Sequence, residues 1–453
     1  MMEKMQKNSK IQKNDKILFV SLGCDKNLVD SEMMLGLLSE KGYEFTDDET
    51  EADIVVINTC CFINDAKQES IDTILEMAEL KKNGDIKRLV VAGCLAQRYK
   101  EEIQKEIPEV DIIIGTTAID EIAEALNGLK NRYKALDNAP LTDTKRIITT
   151  GGHYAYLKIA EGCNKHCTYC IIPKIRGAYR SVPMESLLNE ARILVNSGVK
   201  ELILVAQETT IYGIDLYGKK MLSELLRRLC LIEGLVWIRI LYCYPEEIDD
   251  ELIQVIKTES KICNYLDLPI QHGSDNVLKR MGRKTDSREL VEIIEKLRSE
   301  IPDICLRTTL ITGFPGESEE EHDELMDFVN RMEFDRLGVF TYSQEEDTPA
   351  AMMSGQLPDE VKEERRMQLM ELQQEIAFDA ALAMKGRVVD AMIEGKIADE
   401  DAYIARTYKD APNVDGFLFI NTSRELMTGD FVRVRITGAY EYDLIGELED
   451  ESA

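Results

Sequence analysis

The sequence lacks any long apolar run. None of its 453 residues lies in a stretch approaching the roughly 20 apolar residues that span a bilayer. The lysine-rich segment 1–16 has no apolar core of the kind found in signal peptides. We therefore expect a cytoplasmic protein without membrane contact. In that reducing compartment its 11 cysteines would be thiols available as ligands rather than a disulfide framework.

Positive charge is also scarce. The chain has 55 Lys and Arg against 84 Asp and Glu, a net charge of −29. Such a charge opposes non-specific binding to nucleic acid and suits a basic partner. Internal repeats and low-complexity segments are absent as well. The length suits about three domains, and the hydrophobic fraction of 44% permits sizeable cores.

Three cysteines lie within eight residues, at the spacing C-x3-C-x2-C. They are Cys163, Cys167 and Cys170, and they follow an apolar, strand-like run at 154–160. Zinc usually takes four ligands at two paired spacings, whereas three thiols in one loop suit an iron–sulfur cube with one iron left open for a small molecule. Free cysteine also packs as a small apolar residue, but three in eight residues argue against that alternative.

The first part of the chain, residues 14–130, alternates strand-like and helical patterns. This alternation predicts a doubly wound parallel sheet, whose ligands bind at the carboxyl edge of its strands. The strand-like runs lie at 16–22, 53–58, 88–92 and 111–114.

Cys24, Cys60 and Cys94 each lie just past the end of one of these runs. Separations of 36 and 34 residues would therefore become neighbouring loops, and three thiols would converge on a second metal site. Each cysteine alone is more often a packing residue, so the prediction depends on the position that all three share. Cys61 competes with Cys60 for the same role, because adjacent residues at a strand end point in opposite directions.

The central part, residues 150–382, contains six further strand-like runs separated by amphipathic helical patterns such as 184–196 and 287–300. Six βα units are too few for a closed eight-stranded barrel, so we expect a partial, open (β/α)6 barrel with its site at the carboxyl ends of the strands. The runs lie at 154–160, 201–206, 237–241, 265–269, 305–311 and 337–341.

Several polar or glycine-bearing strand exits would gather at that end. Gly313 and Gly316 permit close backbone approach to a ligand, or form an ordinary turn. His272 could transfer a proton or simply line a loop. Arg176 and Arg180, which follow the cysteine loop, could hold a substrate carboxylate, stabilise cluster charge or form an ordinary ion pair.

The C-terminal part, residues 383–450, follows a charged helical run at 358–384. Five short strand-like runs predict a small antiparallel β-barrel of oligonucleotide-binding type. Residues 385–453 carry 8 Lys/Arg against 15 Asp/Glu, a net charge of −7. Phosphate binding requires clustered positive charge, so an RNA role is disfavoured and a basic protein partner is favoured.

Together these features resemble the radical S-adenosylmethionine (SAM) methylthiotransferases over essentially the whole chain. The motifs that match are Gly23-Cys24, Asn58-Thr59-Cys60, Gly93-Cys94 and the Cys163–Cys170 loop with its aromatic Tyr169. The small terminal barrel corresponds to the domain called TRAM in this family.

The segments at 21–32 (SLGCDKNLVDSE) and 268–272 (LPIQH) resemble one branch of the family, which modifies an aspartate of the twelfth protein of the small ribosomal subunit. The tRNA-modifying branch usually has a Gly-Cys-Gln start, a serine at the position of His272 and a more basic TRAM domain. This chain differs from that branch on all three points.

The resemblance implies two 4Fe–4S clusters and SAM as cofactors. Cys163, Cys167 and Cys170 would hold the cluster whose open iron binds SAM. Cys24, Cys94 and, in preference to Cys61, Cys60 would hold an auxiliary cluster that carries sulfur. Contacts to SAM are expected from four further residues: Tyr169, Gln207, Glu208 and Gly313.

The resemblance also implies the reaction. One-electron cleavage of SAM would give a 5′-deoxyadenosyl radical, which abstracts hydrogen from the unactivated β-carbon of the aspartate. Sulfur on the auxiliary cluster would be methylated by SAM and captured by the carbon radical. The implied partners are the basic ribosomal protein and a reducing donor such as flavodoxin or ferredoxin, with tRNA disfavoured. A tRNA adenosine methylthiotransferase and a non-enzymatic iron–sulfur carrier stay open as alternatives.

Overall fold

The structure is a computed structural model that describes residues 15–450. These residues form two compact units. The first comprises residues 15–149, 161–164 and 171–182, and the second comprises residues 150–160, 165–170 and 183–450. Residues 1–14 lie outside the described residues; they include most of the lysine-rich segment 1–16 and residue 14, the predicted start of the first domain.

The first unit contains a five-stranded sheet in the order β2-β1-β3-β4-β5. All its pairings are parallel, which confirms the predicted doubly wound sheet. The strands are β1 (Lys16–Ser21), β2 (Glu44–Thr46), β3 (Ile54–Thr59), β4 (Arg88–Ala92) and β5 (Ile112–Ile114). The helices of this unit are α1 (Asp25–Glu40), α2 (Asn64–Asn83), α3 (Gly93–Arg98), α4 (Lys100–Glu106), α5 (Ile122–Gly128) and α6 (Ile172–Arg176).

The central strands of this sheet are buried on both faces. Every residue of β3 is buried, and only the first residue of β4 is partly exposed. Continuous Val/Ile runs are typical of such strands, because helices cover both faces of a parallel sheet. The edge strand β2 was not predicted, because it has three residues and none of them is buried.

The second unit contains a six-stranded parallel sheet in the order β13-β12-β11-β10-β9-β6. It has two edge strands and does not close, which confirms the partial barrel. Its strands are β6 (Tyr154–Lys158), β9 (Glu201–Val205), β10 (Trp237–Ile240), β11 (Ile262–Asp267), β12 (Cys305–Thr312) and β13 (Arg336–Thr341). Two short strands outside this sheet, β7 (Ala160–Glu161) and β8 (Arg180–Ser181), pair with each other, and β8 belongs to the first unit.

The amphipathic patterns at 184–196 and 287–300 form helices with those limits. Two of the helices begin with a capping box. In each, the side chain of the N-cap residue, Asp286 or Ser318, accepts a hydrogen bond from the N–H of a glutamate three residues later, and that glutamate's side chain accepts one from the N-cap N–H. The helices are α7 (Met184–Asn196), α8 (Ile214–Tyr217), α9 (Leu222–Cys230), α10 (Asp250–Thr258), α11 (Asp275–Arg280), α12 (Ser287–Glu300), α13 (Glu319–Met332) and α14 (Asp359–Ala383).

The C-terminal strands form a closed barrel in the order β14-β15-β16-β18-β17. This confirms the predicted small β-barrel but corrects one detail, because β16 and β18 pair in parallel. That pairing closes the barrel between strands that are not adjacent in sequence. The strands are β14 (Val388–Lys396), β15 (Ala402–Thr407), β16 (Leu418–Asn421), β17 (Phe431–Tyr440) and β18 (Asp443–Leu448).

Within residues 15–450, no helix has the length and apolar character needed to cross a membrane.

Candidate active site

The first unit places Cys24, Cys60 and Cys94 at one edge of its sheet. They follow β1, β3 and β4, which are neighbours in the sheet. Just after β1, the Leu22 N–H donates a hydrogen bond to the carbonyl of Asn58, near the end of β3, at 2.9 Å. Parallel strands thus deliver residues that are far apart in sequence to the same edge.

Gly23 shows how closely the first two loops approach. A Cβ at this position would lie 2.5 Å from the Cβ and 2.8 Å from the Sγ of Cys60. The backbone of Gly23 has φ +88°, which L side chains rarely adopt. The Gly-Cys pair at the end of β1 therefore leaves a space beside the Cys60 thiol that any larger residue would fill.

The electrostatics of these thiols reflect their burial and their proximity. Burial raises the pKa of Cys94, and the guanidinium of Arg176 opposes that rise. Burial also raises the pKa of Cys60, and the charge of Cys24 raises it further. Iron ligands must be thiolates, so a cation beside this group favours the ligating form.

Cys61 is fully buried in the hydrophobic core of the first unit, and Cys94 belongs to the same core. The charge of Cys61, like those of Cys60 and Cys24, adds to the rise in the pKa of Cys94. Cys60 lies against Gly23, the neighbour of Cys24, and its role as the ligand in preference to Cys61 stays a prediction.

Arg176 lies against the same group, and sequence reasoning did not place it there. Its Nη1 donates to Asp30 at 2.6 Å and to Glu161 at 3.3 Å, and its Nη2 donates to Asn27 Oδ1 at 3.1 Å and to Cys94 Sγ at 3.3 Å. Asn27 and Asp30 belong to the segment 21–32 that was singled out in the sequence. A buried arginine in such a network forms an ion pair and is not free to bind a substrate carboxylate.

The C-x3-C-x2-C loop is divided between the units, with Cys163 in the first and Cys167 and Cys170 in the second. In the first unit, the Cys163 N–H donates to the Gly177 carbonyl at 3.1 Å. In the second unit, Thr168 donates through its N–H to the Met281 carbonyl and accepts from the Ala350 N–H, both at 2.9 Å. The part of the loop around Thr168 is thus held by residues far away in sequence.

Tyr169 and Arg283 accompany the second part of this loop. Burial raises the pKa of the Tyr169 hydroxyl. The Arg283 guanidinium lies 4.5 Å from the centre of the Tyr244 ring, and the Tyr244 hydroxyl lies 3.8 Å from Cys167 Sγ. Nε and Nη1 of Arg283 have no hydrogen-bond partner among residues 15–450. Buried cationic donors therefore lie beside the cysteine loop, and Arg283 was not predicted from the sequence.

Glu208 and Gln207 follow β9 at the carboxyl end of the partial barrel. Glu208 is fully buried, and Lys165 Nζ lies 3.5 Å from its Oε1. Burial raises the pKa of Glu208 to about 7, with Glu246 and Glu247 adding to the rise and Lys165 opposing it. A carboxyl group of this kind can bind a cationic group or take up a proton near neutral pH. Its contact with SAM stays a prediction, as does that of Gln207.

Gly313 has a packing reason for its missing side chain. It has φ +69°, and a Cβ there would lie 2.3 Å from Lys362 Cγ on α14. The close approach that the sequence suggested is therefore made by this helix, and a contact with SAM is a separate prediction. His272 is buried beside Ser274 and Glu317: its Nδ1 accepts the Ser274 N–H at 3.0 Å, and its Nε2 lies 3.6 Å from Glu317. This histidine links two loops.

Cysteine thiolates are ligands that suit iron–sulfur clusters. Among residues 15–450, no three His, Cys, Asp or Glu side chains are placed to hold a single metal ion. The three thiolates of a four-iron cluster bind three different irons, so they do not converge on one point. Three thiols at one sheet edge, the space left by Gly23 and the guanidinium of Arg176 fit an anionic cluster.

Three family profiles match successive parts of the chain. Residues 16–115 match the uncharacterized protein family UPF0004, residues 157–329 match the radical SAM superfamily, and residues 386–448 match the TRAM domain. A radical SAM domain implies a 4Fe–4S cluster and SAM.

Solved structures show the same fold. The cobalamin-bound radical SAM methyltransferase TsrM from Kitasatospora setae superposes with a TM-score of 0.54 over 75% of this chain and 77% of its own, at 14% identity. At that identity the likeness concerns the fold alone.

Curated relatives match along nearly the whole length. A protein of Lachnoclostridium phytofermentans named ribosomal protein uS12 methylthiotransferase RimO is 64% identical over 439 residues, which are 96% of this chain and 100% of the relative. Proteins with the same name from Acetivibrio thermocellus and Clostridioides difficile are each 50% identical over 97% of this chain and at least 99% of their own. The chain therefore belongs to the RimO family of radical SAM methylthiotransferases.

Proposed function

We propose that this chain methylthiolates the β-carbon of an aspartate in ribosomal protein uS12. The observation that carries the proposal is the 64% identity, over 96% of the chain, to a relative named as a uS12 methylthiotransferase. Because that substrate is a ribosomal protein, we also place the reaction in the cytoplasm.

Six cysteines are the proposed cluster ligands. Cys163, Cys167 and Cys170 would hold the SAM-binding cluster, and their C-x3-C-x2-C spacing within the radical SAM match supports this assignment. Cys24, Cys60 and Cys94 would hold an auxiliary 4Fe–4S cluster, and their shared position at the carboxyl edge of three neighbouring strands supports it. When bound, the two clusters and SAM would supply a carbon-centred radical and an activated sulfur.

The residues of this chain would bind and orient these groups. Arg176 and Asn27 would fix the ligands at the sheet edge, because both belong to one buried hydrogen-bond network. Glu208, buried and beside Lys165, is suited to receive the ammonium group of SAM. Tyr169, Gln207 and Gly313 are the other proposed SAM contacts, and the N–H donors of Arg283 can bond sulfur atoms beside the cysteine loop.

The partners follow from charge and chemistry. A net charge of −29 favours a basic protein substrate and opposes tRNA binding. Reductive cleavage of SAM consumes an electron, so we propose a low-potential donor such as flavodoxin or ferredoxin. The proposed domain limits are 14–130, 150–382 and 383–450, and the three family matches fall inside these ranges.

The test is anaerobic turnover of the reconstituted protein. It is supplied with SAM, a chemical reductant and a uS12 peptide that carries the target aspartate, and the products are read by mass spectrometry. We expect a gain of one methylthio group on the peptide. Cys24→Ala and Cys163→Ala should each abolish this product, whereas Cys230→Ala, at the end of α9 and outside both groups, should retain it.

The same experiment distinguishes the alternatives. Methylthiolation of bulk tRNA without a peptide product would contradict the proposed substrate and favour the tRNA-modifying branch. Transfer of iron and sulfide to an acceptor protein without consumption of SAM would indicate an iron–sulfur carrier.

A further inference from the structure

Arg176 is one of the most deeply buried charged groups of the first unit. Only 2% of the residue is exposed. It lies at the end of the short helix α6, six residues after Cys170 in the sequence. Burying a guanidinium without partners costs several kcal/mol, so the groups around it define what it does.

Two carboxylates flank one side of the guanidinium. Asp30 lies 2.6 Å and Glu161 3.3 Å from Nη1, and both side chains are less than a tenth exposed. A carboxylate pair around one arginine more than balances its charge. Asp30 and Glu161 therefore fix the position of the guanidinium and reduce the field it exerts on its surroundings.

The other side faces the cysteine group. Nη2 donates to Cys94 Sγ at 3.3 Å, within hydrogen-bond distance for sulfur, and to Asn27 Oδ1 at 3.1 Å. Asn27 in turn donates to the carbonyl of Leu22, next to Gly23 and Cys24. One network therefore contacts the Cys94 ligand directly and the Cys24 loop through Asn27.

Hydrogen bonds to cluster sulfurs and nearby charge set the reduction potential of an iron–sulfur cluster. Reduction adds negative charge, which a cationic donor stabilises and a carboxylate destabilises. We propose that Arg176 is a positioning residue of the auxiliary cluster and that its hydrogen bond to Cys94 raises the reduction potential of that cluster. Asp30 lowers the same potential because its negative charge offsets the positive charge of the guanidinium. This inference rests on the proposed auxiliary cluster and extends it to residues outside the ligand set.

The test isolates one cluster. In the full chain, Cys163→Ala, Cys167→Ala and Cys170→Ala together remove the SAM-binding ligands and leave Cys24, Cys60 and Cys94. The potential of the remaining cluster is measured anaerobically by redox titration followed by electron paramagnetic resonance. In this background Arg176→Met should lower the equilibrium constant for one-electron reduction of the cluster about tenfold, which lowers the reduction potential by about 59 mV. Asp30→Asn should raise the reduction potential.

The opposite signs separate an electrostatic role from a merely structural one. If the substitutions merely loosened the site, the reduction potentials of both variants would shift in the same direction, and that result would overturn the inference. Potentials equal to the parent value in both variants would overturn it as well. Arg176→Lys keeps the charge and should shift the potential less than Arg176→Met. If Arg176→Met does not fold, Asp30→Asn tests the sign by itself: a raised potential is expected, and an unchanged or lowered potential would overturn the inference.

Arg88→Met is the matched control. Arg88 begins β4, and Cys94 follows its other end, across a five-residue strand that is about 17 Å long. This separation exceeds the Debye length of about 10 Å at 0.1 M salt, so the control should leave the potential unchanged. A parent background that binds no cluster at all would instead contradict the proposed auxiliary site itself.

Discussion

Two glycines with the same backbone conformation serve different purposes. Gly23 and Gly84 both have φ +88°. A Cβ on Gly84 would meet no atom within 4 Å, whereas a Cβ on Gly23 would lie 2.5 Å from Cys60 Cβ. Glycine is therefore required at position 84 only by the left-handed backbone conformation that ends α2. At position 23 it is required both by that conformation and by the close approach of Cys60, a proposed ligand.

This pair provides a prediction with a built-in control. Gly23→Ala should displace Cys60 and release the auxiliary cluster, so reconstituted protein should hold about four irons instead of about eight. Gly84→Ala should retain all the iron and lose only about 1 kcal/mol of unfolding free energy from backbone strain. Iron and sulfide analysis with thermal unfolding checks both, and full iron content in Gly23→Ala would contradict the placement of Cys60 in the cluster.

At the level of elements, buried charges join the partial barrel to the C-terminal barrel within the second unit. Glu201 begins β9 and accepts hydrogen bonds at 2.8 Å from Arg239 on β10 and from Arg406 on β15. All three side chains are at most 1% exposed. Although burial opposes ionisation, Arg406 and Arg239 hold the pKa of Glu201 below its ordinary value.

Removing the carboxylate should take from buried Arg239 its ion-pair partner Glu201 and leave Arg406 paired with Glu394. Glu201→Gln is expected to lower the unfolding free energy by about 3–5 kcal/mol. Glu185→Gln removes a partner of Arg228 at the same 2.8 Å, but with a side chain 79% exposed, and should cost about 0–1 kcal/mol. Chemical denaturation at neutral pH measures the difference, and equal losses would contradict a role for this network in joining the barrels.

The contribution of Glu201 to the unfolding free energy should depend on pH with a defined sign. The folded-state pKa of Glu201 lies below its value of 4.5 in the unfolded chain, so its contribution is present above that value and is lost as the pH falls through the folded-state pKa. Glu201→Gln should therefore lose less stability than the parent protein between neutral and acid pH.

For the whole molecule, net charge is the property that best indicates which class of partner the chain binds. The chain carries −29 overall, and its C-terminal segment 385–453 contributes −7 of this charge. A small β-barrel of this kind often binds nucleic acid, but phosphate neutralisation requires cations. The acidic barrel is instead suited to a basic protein.

The association rate with uS12 should consequently depend on salt. We expect it to fall at least tenfold between about 50 and 300 mM salt, because screening removes electrostatic steering. A uS12 variant with surface Lys and Arg replaced by Gln should associate more slowly and respond little to salt. Stopped-flow fluorescence measures both rates, and tighter salt-sensitive binding of tRNA than of uS12 would contradict the proposed substrate.

The sequence by itself determined the fold class and most element positions. The predicted strand at 88–92 coincides with β4 and the helical pattern at 184–196 with α7, because hydrophobic periodicity is a local property. It also indicated that Cys24, Cys60 and Cys94 share an edge, because the ends of parallel strands are placed by topology. Exceptions are the three-residue strand β2, with too few residues to show a pattern, and the parallel β16–β18 pair, which depends on barrel closure.

Only the tertiary structure decided which distant side chains meet. Arg176 and Cys94 are 82 residues apart and Glu201 and Arg406 are 205 apart, and neither pairing leaves a spacing that can be read along the chain. Lys362 fills the space at Gly313 for the same reason. Such contacts form because a buried charge needs a partner and a packed interior leaves few voids, and these requirements are met only once the whole chain is folded.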